Sequence, residues 1–137
     1  MTPLEPGAAL GPAHFRVRRS DLVRYAGASG DFNPIHWSQR VATEVGLPGV
    51  IAHGMYTLGL AGRAVAEWAG GTDRVVELGS RFTKPVVVPD DEEGVVVEVA
   101  GEVKPTDTAG RVRIDLTVTC GDQKVLGMAR AVVVRDE

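Results

Sequence analysis

Residues 54–69 read GMYTLGLAGRAVAEWA, an apolar segment with few polar side chains. Its apolar residues recur at helical spacing, and Gly70-Gly71 ends the pattern. Its many glycines and alanines would let other parts of the backbone approach closely. The segment therefore predicts the most buried helix of the chain, wrapped by a sheet. The face expected to be buried carries Met55, Leu58, Gly62, Val65 and Ala69.

Strand-like segments follow this helix and are separated by turns rich in Pro, Gly and Asp. They cover residues 75–83, 94–103, 111–120 and 124–135. Before the helix, an irregular lead-in over 1–13 should precede a short strand over 14–19 and a helix capped by Ser20. Helices early and antiparallel strands late predict an α+β fold, with one long central helix wrapped by a curled antiparallel sheet. We expect one domain over residues 1–137.

The composition excludes several classes of function. The formal net charge of −3 gives no basic surplus with which to release counterions from a phosphate backbone, so nucleic acid is not an expected partner. No apolar run approaches the ~20 residues of a spanning helix, and the first fourteen residues show no charged targeting pattern. We therefore expect a soluble cytoplasmic protein without a membrane partner. Cys120 is the one cysteine and is expected to be a buried, inert thiol.

A compact group of polar residues occupies the sequence Asp31-Phe32-Asn33-Pro34-Ile35-His36. Asn33 before Pro34 has the form of a helix N-cap followed by proline at the first helical position. On that register, a helix runs towards Gly46, with His36 in its first turn and Asp31 two residues before the cap. The positive end of the helix dipole would keep Asp31 charged and His36 neutral. Such a pair can exchange protons near neutral pH.

Gly54, at the start of the long predicted helix, is a second candidate site residue. It has no side chain, so its backbone N–H can face a ligand oxygen while the helix dipole adds favourable potential. We expect Gly54 to stabilise negative charge that develops on such an oxygen. His53, just before it, is either a third catalytic group or a residue that binds a backbone carbonyl and shapes the loop.

Two stretches together resemble a known family. The sequence YAGASGDFNPIH over residues 25–36 is similar to the signature of the MaoC-like, or R-specific enoyl-CoA hydratase 2, family, whose core is G-D-x-N-P-[LIV]-H. Residues 51–55, IAHGM, and Arg81-Phe82 followed by Pro85-Val86 resemble that family in order and spacing. Within that family, the sequence is most similar to the catalytic B subunits of actinobacterial (3R)-hydroxyacyl-ACP dehydratases.

The resemblance implies a single hotdog fold and dimers that share a continuous sheet. It also implies hydration of trans-2-enoyl thioesters, or dehydration of (3R)-hydroxyacyl thioesters, with Asp31 and His36 as the catalytic acid/base pair. The substrate would be an acyl-CoA or acyl-ACP thioester of fatty-acid metabolism. The partner would be the same chain or a related hotdog subunit. No cofactor is expected.

Alternatives remain for the chain and for its residues. It could be a noncatalytic acyl-thioester-binding or dimer-partner subunit, or a hotdog thioesterase. Asn33 is favoured as a helix cap, although its amide could also orient Asp31 or a water molecule. Asp31, His36 and His53 lack the spacing of a zinc site, so no metal is expected.

An acidic carrier protein would be met by basic residues around the mouth of the site. The candidates are Arg40, Arg63, Arg74, Arg81 and Lys84.

Overall fold

The computed structural model describes residues 3–136. These residues form three α-helices and five β-strands, together with two single-turn 3-10 helices at Pro34–His36 and Thr72–Arg74. The helices are α1 (Arg19–Ser29), α2 (Gln39–Glu44) and α3 (Gly54–Ala69). The strands are β1 (Ala9–Val17), β2 (Val75–Phe82), β3 (Val95–Pro105), β4 (Arg111–Cys120) and β5 (Gln123–Val134). None of the helices in this described part is long and apolar enough to cross a membrane.

The five strands form one antiparallel sheet in the order β1-β3-β4-β5-β2. The last three strands follow one another through short turns, as hairpin connections allow. Strands β1 and β2 are the two edges of the sheet, and α3 lies between them in the chain. The α+β class, the bounds of α3 and the four strands after it are confirmed, with strand ends within two residues of those expected.

Helix α3 contacts all five strands, so the sheet wraps around it as expected. Its buried face differs from the predicted one, because Met55 is 58% exposed. The predicted and observed faces share only Val65 and Ala69. The segment is apolar around most of its circumference, so periodicity alone does not fix which stripe meets the sheet. The buried residues are Thr57, Leu60, Ala61, Ala64, Val65, Trp68 and Ala69.

The first strand begins earlier than expected. Strand β1 starts at Ala9, so residues 9–13 are not part of an irregular lead-in, while residues 1 and 2 of that lead-in lie outside the described residues. Strand β1 pairs with β3, and the register shifts between Leu10 and Ala13. Gly11 and Pro12 stand at this irregularity and interrupt the alternating pattern that marks a strand in sequence. The prediction was wrong because it treated these two residues as the mark of a loop.

The cap of α1 also differs from the prediction. Arg18, not Ser20, is the N-cap, and Ser20 lies inside the helix. The Asp21 carboxylate accepts a hydrogen bond from the Arg18 backbone N–H at 2.8 Å. An acidic residue three positions after the cap satisfies a donor at the helix entrance. The sequence signal for this start was therefore Asp21.

Cys120 lies at the end of β4 and is partly buried. Burial raises the pKa of its thiol, which disfavours the reactive thiolate.

Candidate functional site

The site begins in the loop between α1 and the first 3-10 helix. The Asn33 side chain accepts a hydrogen bond from the Ile35 N–H at 3.2 Å, which confirms Asn33 as the cap of Pro34–His36. The Asp31 Oδ1 atom accepts one from the Asn33 N–H at 3.1 Å, and Ser29 Oγ accepts one from the Asp31 N–H at 3.1 Å. These consecutive side chain to backbone bonds fix the path of the loop at Asp31.

The helix expected from Asn33 to Gly46 is interrupted. The turn Pro34–His36 ends at Trp37, and α2 begins only at Gln39, with Ser38 as its own N-cap. A turn of three residues has no substantial macrodipole, so the expected dipole effect on Asp31 and His36 does not come from this segment. The long helix whose N-terminus lies nearest is instead α3, because its N-cap, His53, contacts the ring of His36.

His36 is buried, and one of its ring nitrogens is already engaged. Nδ1 lies 2.7 Å from the carbonyl oxygen of Ile51, and a carbonyl can only accept. Nδ1 therefore carries the proton and donates, which leaves the lone pair on Nε2. This bond sets the orientation of the ring and makes Nε2 the nitrogen that can take a proton from a ligand.

His53 lies against His36 in the interior. The two rings are stacked with centroids 3.8 Å apart and planes inclined by 22°, and Tyr25 meets His53 edge-on at 4.7 Å. The Nε2–H group of His53 donates to the backbone carbonyl of Asp31 at 3.1 Å. Burial is the largest effect and lowers the pKa of His53, and the neighbouring His36 lowers it further. The hydrogen bond to the carbonyl and the Asp31 carboxylate oppose that shift without reversing it.

Asp31, His36 and His53 come together with one ligating atom of each within 4.8 Å of the others. A metal ion lies close to the plane of any imidazole that binds it, because the lone pair points outward in that plane. Two rings stacked at 3.8 Å and inclined by only 22° do not direct their lone pairs at one point. One ring would have to turn before both histidines could hold the same ion, so this geometry disfavours a shared metal.

A cavity of about 270 Å³ opens beside His36. Its wall includes His36, Gly54 and Phe82, and Lys84 adds a positive charge. Asp31 is exposed and does not line this cavity, but its carboxylate lies within 4.8 Å of a ring nitrogen of His36. Most of the remaining lining is apolar, as in sites for small organic ligands. It comprises Ile51, Ala52, Thr57, Thr83, Pro85, Val86, Val125 and Leu126.

Gly54 is the first residue of α3, so helix geometry gives its backbone N–H no acceptor inside the helix. A Cβ atom at this position would lie 3.0 Å from three carbons of the Phe82 ring. The close approach of this ring explains why glycine suits position 54. Gly54 and His36 line the same cavity.

The five basic residues expected around the mouth occupy different places. Three of them pair with acidic side chains: Arg40 with Glu44, Arg63 with Glu67, and Arg74 with Asp136. Lys84 lines the cavity, and Arg81 lines a neighbouring surface groove of about 610 Å³. Leu126 lines both the cavity and this groove. The other charged residues of the groove are Arg113, Asp115, Lys124 and Arg130.

Sequence reasoning missed four contacts in the site. The Ile51 and Asp31 carbonyl groups orient the two histidines, and backbone acceptors leave no signal in residue type. Tyr25 contacts His53 from α1, and its place within a helical pattern gave no indication of that contact. Phe82 belonged to the quoted Arg81-Phe82 pair, but its position over Gly54 depends on how the edge strand β2 packs.

Comparison with known proteins gives consistent matches. Residues 4–120 match the family model described as MaoC like domain. The 3-hydroxyacyl-thioester dehydratase X of Mycobacterium tuberculosis is 38% identical over 86 residues, which cover 63% of this chain and 28% of that protein. The 3-hydroxybutyryl-CoA dehydratase of Methylorubrum extorquens is 37% identical over 111 residues, which cover 80% of this chain and 68% of that protein.

A solved structure titled MaoC-like dehydratase superposes with a TM-score of 0.91 and 36% identity, over 96% of this chain and 41% of that one. This match confirms the hotdog fold expected from the sequence. The chain spans less than half the length of that protein, and less than a third of the M. tuberculosis dehydratase.

Proposed function

Because the chain belongs to the MaoC-like family, we propose that it catalyses the reversible hydration of trans-2-enoyl thioesters and the dehydration of (3R)-hydroxyacyl thioesters in fatty-acid metabolism. One observation carries the proposal. The Asp31 carboxylate and the His36 ring meet within 4.8 Å beside an apolar cavity, and Gly54 at the start of α3 lies on the same cavity wall. The dehydratase names of the relatives support the choice of reaction.

The protonation of His36 gives the pair its chemistry. In the hydration direction, the oxygen of a water molecule bonds to C3 of the enoyl thioester and C2 takes a proton. The Nδ1–H group donates to Ile51, so Nε2 has the lone pair that can accept the proton from water. The Asp31 carboxylate lies close enough to hold that water or to relay the proton. One proton leaves water and one reaches C2, so the balance requires no cofactor or metal.

Negative charge develops on the thioester oxygen as the substrate becomes an enolate during the reaction. A backbone N–H at a helix N-terminus stabilises such an oxygen because its dipole is fixed before the reaction begins. Gly54 supplies that N–H from the cavity wall. Asn33 supports the pair by capping the 3-10 turn that presents His36.

The substrate is an acyl-CoA or acyl-ACP thioester, and both carriers, CoA and ACP, bear phosphate. Arg81, Lys124 and Arg130 are exposed beside the cavity, in a groove where Asp115 is engaged by Arg113 at 2.8 Å. Replacing Arg130 with Gln should raise the KM for an enoyl-CoA more than it changes kcat, and added salt should reduce the difference. Arg40→Gln, which removes a cation already paired on α2, is the matched control.

The partner is a second hotdog subunit, either the same chain or a related one, added along edge strand β2. Edge strands present unpaired backbone groups, and β2 also carries the partly exposed Val76 and Phe82. Sedimentation of the purified chain as a dimer would identify the same chain as the partner. Sedimentation as a monomer would direct the search to a related subunit. A cytoplasmic location stays a prediction from the sequence.

The decisive experiment is spectrophotometric hydration of a short trans-2-enoyl-CoA, with chiral analysis of the product. The wild type should form the (R)-hydroxyacyl product, and Asp31→Asn and His36→Gln should each lose about 10²- to 10⁴-fold in turnover because an acid/base group is removed. His14→Gln is the matched control, since His14 is exposed on β1.

Unchanged turnover in either site variant would refute its assignment. A wild type that binds the thioester but does not turn it over, even with a partner subunit, would identify a noncatalytic binding protein. Release of free thiol, detected with a thiol-reactive dye, would identify a thioesterase.

A further inference from the structure

His53 connects three parts of the site without lining the cavity formed by the described residues. It is the N-cap of α3 and immediately precedes Gly54. Its Nε2–H group donates to the Asp31 carbonyl, and its ring is stacked on the ring of His36. It is 2% exposed, so its surroundings fix it closely. One side chain thus touches the two residues of the proposed acid/base pair and lies beside the proposed oxyanion donor.

The contacts of His53 argue against direct proton exchange with a substrate. Its Nε2–H group is committed to a backbone carbonyl, and its Nδ1 atom is buried with no hydrogen-bond partner among the described residues. A proton on Nδ1 would create a buried cation without an acceptor, stacked on the ring of His36. Such a charge is costly to bury. The neutral form with the proton on Nε2 is therefore the one that fits this space.

We infer that His53 is a positioning residue that, as a neutral Nε2–H imidazole, holds the Asp31 loop and the His36 ring in a fixed position relative to the N-terminus of α3. This inference rests on the proposed function, because this relative position matters only if Asp31, His36 and Gly54 act on one substrate. A histidine is suited to the role for two reasons. Its flat ring provides the stacking surface, and its outer N–H reaches the Asp31 carbonyl at 3.1 Å.

Two substitutions separate these contributions. His53→Phe keeps a flat ring but removes the N–H, whereas His53→Gln keeps an N–H near the outer end of the side chain but removes the ring. Small displacements of reacting groups lower kcat steeply, by up to about 10²-fold for 1 Å. We expect His53→Phe to lower kcat at least about tenfold with KM within about threefold of wild type. His53→Gln should recover part of that kcat, because the bond to Asp31 is restored.

The test measures kcat and KM for a short trans-2-enoyl-CoA in the wild type, both variants and the His14→Gln control, with thermal unfolding recorded for each protein. A folded His53→Phe variant with wild-type kcat would overturn the inference while leaving the proposed function intact. A rise in KM alone would also overturn it, because it would indicate a role in binding. If the wild type itself has no turnover, the proposed function fails first.

The tautomer of His53 in the wild type gives an independent readout that does not depend on kinetics. In ¹⁵N-detected spectra of the wild type, the His53 ring should show a protonated Nε2 and an unprotonated Nδ1 at neutral pH. Observation of the Nδ1–H tautomer or of an imidazolium would overturn the inference. Assignment of the signal uses His53→Gln, in which it should disappear.

Discussion

At each end of α3 an aromatic ring lies against glycine, but the two contacts have different roles. At the N-terminal end, the Phe82 ring lies over Gly54, and the two residues share the wall of a cavity. At the C-terminal end, the Trp68 ring lies against Gly11 and Gly101 of the sheet, where added Cβ atoms would come within 3.0 and 3.2 Å of it. Phe82 is 57% exposed, whereas Trp68 is 8% exposed.

The difference lies in what surrounds each ring. Trp68 is enclosed by β1 and β3, so any void left by its removal is lined by packed core residues. Phe82 lies at the end of edge strand β2 and is not enclosed by other residues of its own chain. The C-terminal end of α3 therefore contributes mainly to stability. The N-terminal end leaves room for a ligand, at the expense of packing.

The largest expected effect comes from removal of Trp68. Trp68→Ala should lower the free energy of unfolding by about 3–5 kcal/mol, because it removes a large buried side chain and leaves a cavity. The specific activity of the folded fraction should stay near wild type, since Trp68 is remote from Gly54 along α3. Urea unfolding combined with active-site titration checks both parts. A variant that keeps its stability but loses kcat would contradict the view that the C-terminal end of α3 contributes mainly to stability.

A smaller effect is expected at the opposite end. Gly54→Ala places a methyl group 3.0 Å from the Phe82 ring, which can shift because it is partly exposed. The methyl group would also displace the thioester oxygen from the Gly54 N–H, so kcat should fall by about 10²-fold with little change in the melting temperature. The measurement is steady-state hydration of a short enoyl-CoA, alongside thermal unfolding.

Gly59→Ala is the matched control for this substitution. It lies on the same helix, and a Cβ atom there would meet nothing within 4 Å. An alanine in a helix interior favours the helix over glycine by roughly 0.5–1 kcal/mol, so this variant should be slightly more stable and equally active. Equal losses of activity in both variants would show that helix stiffness, not the approach to Phe82, governs the N-terminal end.

The regular elements were predictable because their signal is local. The bounds of α3 and the four strands after it follow from apolar periodicity and from the glycines and prolines between segments. The buried face of α3 did not follow, since Met55 is as apolar as the residues that the sheet covers. The start of β1 was missed because Gly11 and Pro12 hid a strand whose pairing partner lies far along the chain.

The residues of the candidate site could be proposed from a motif, but the hydrogen bonds that connect them could not. Asn33 as a cap followed from the proline after it. The orientation of His36 depends on the carbonyl of Ile51, and that of His53 on the carbonyl of Asp31, 22 residues away in sequence. Backbone carbonyls are the same in every residue, so composition and spacing carry no information about these bonds. For this reason the sequence left both roles of His53 open.

The last predicted effect concerns pH and again separates the two ends. Burial lowers the pKa of His53 below its ordinary value of 6.5, so between the folded-state and unfolded-state pKa values the unfolded chain binds more protons. The contribution of His53 to stability is therefore present above about pH 6.5 and is lost as the pH falls towards the folded-state pKa. Over that range the free energy of unfolding falls by at most about 1.4 kcal/mol per pH unit because of His53. His53→Gln should remove this component of the slope, whereas Trp68→Ala should lower stability at every pH and leave the slope unchanged. Urea midpoints measured above and below pH 6.5 test this, and an unchanged slope in His53→Gln would mean that another group governs the acid sensitivity.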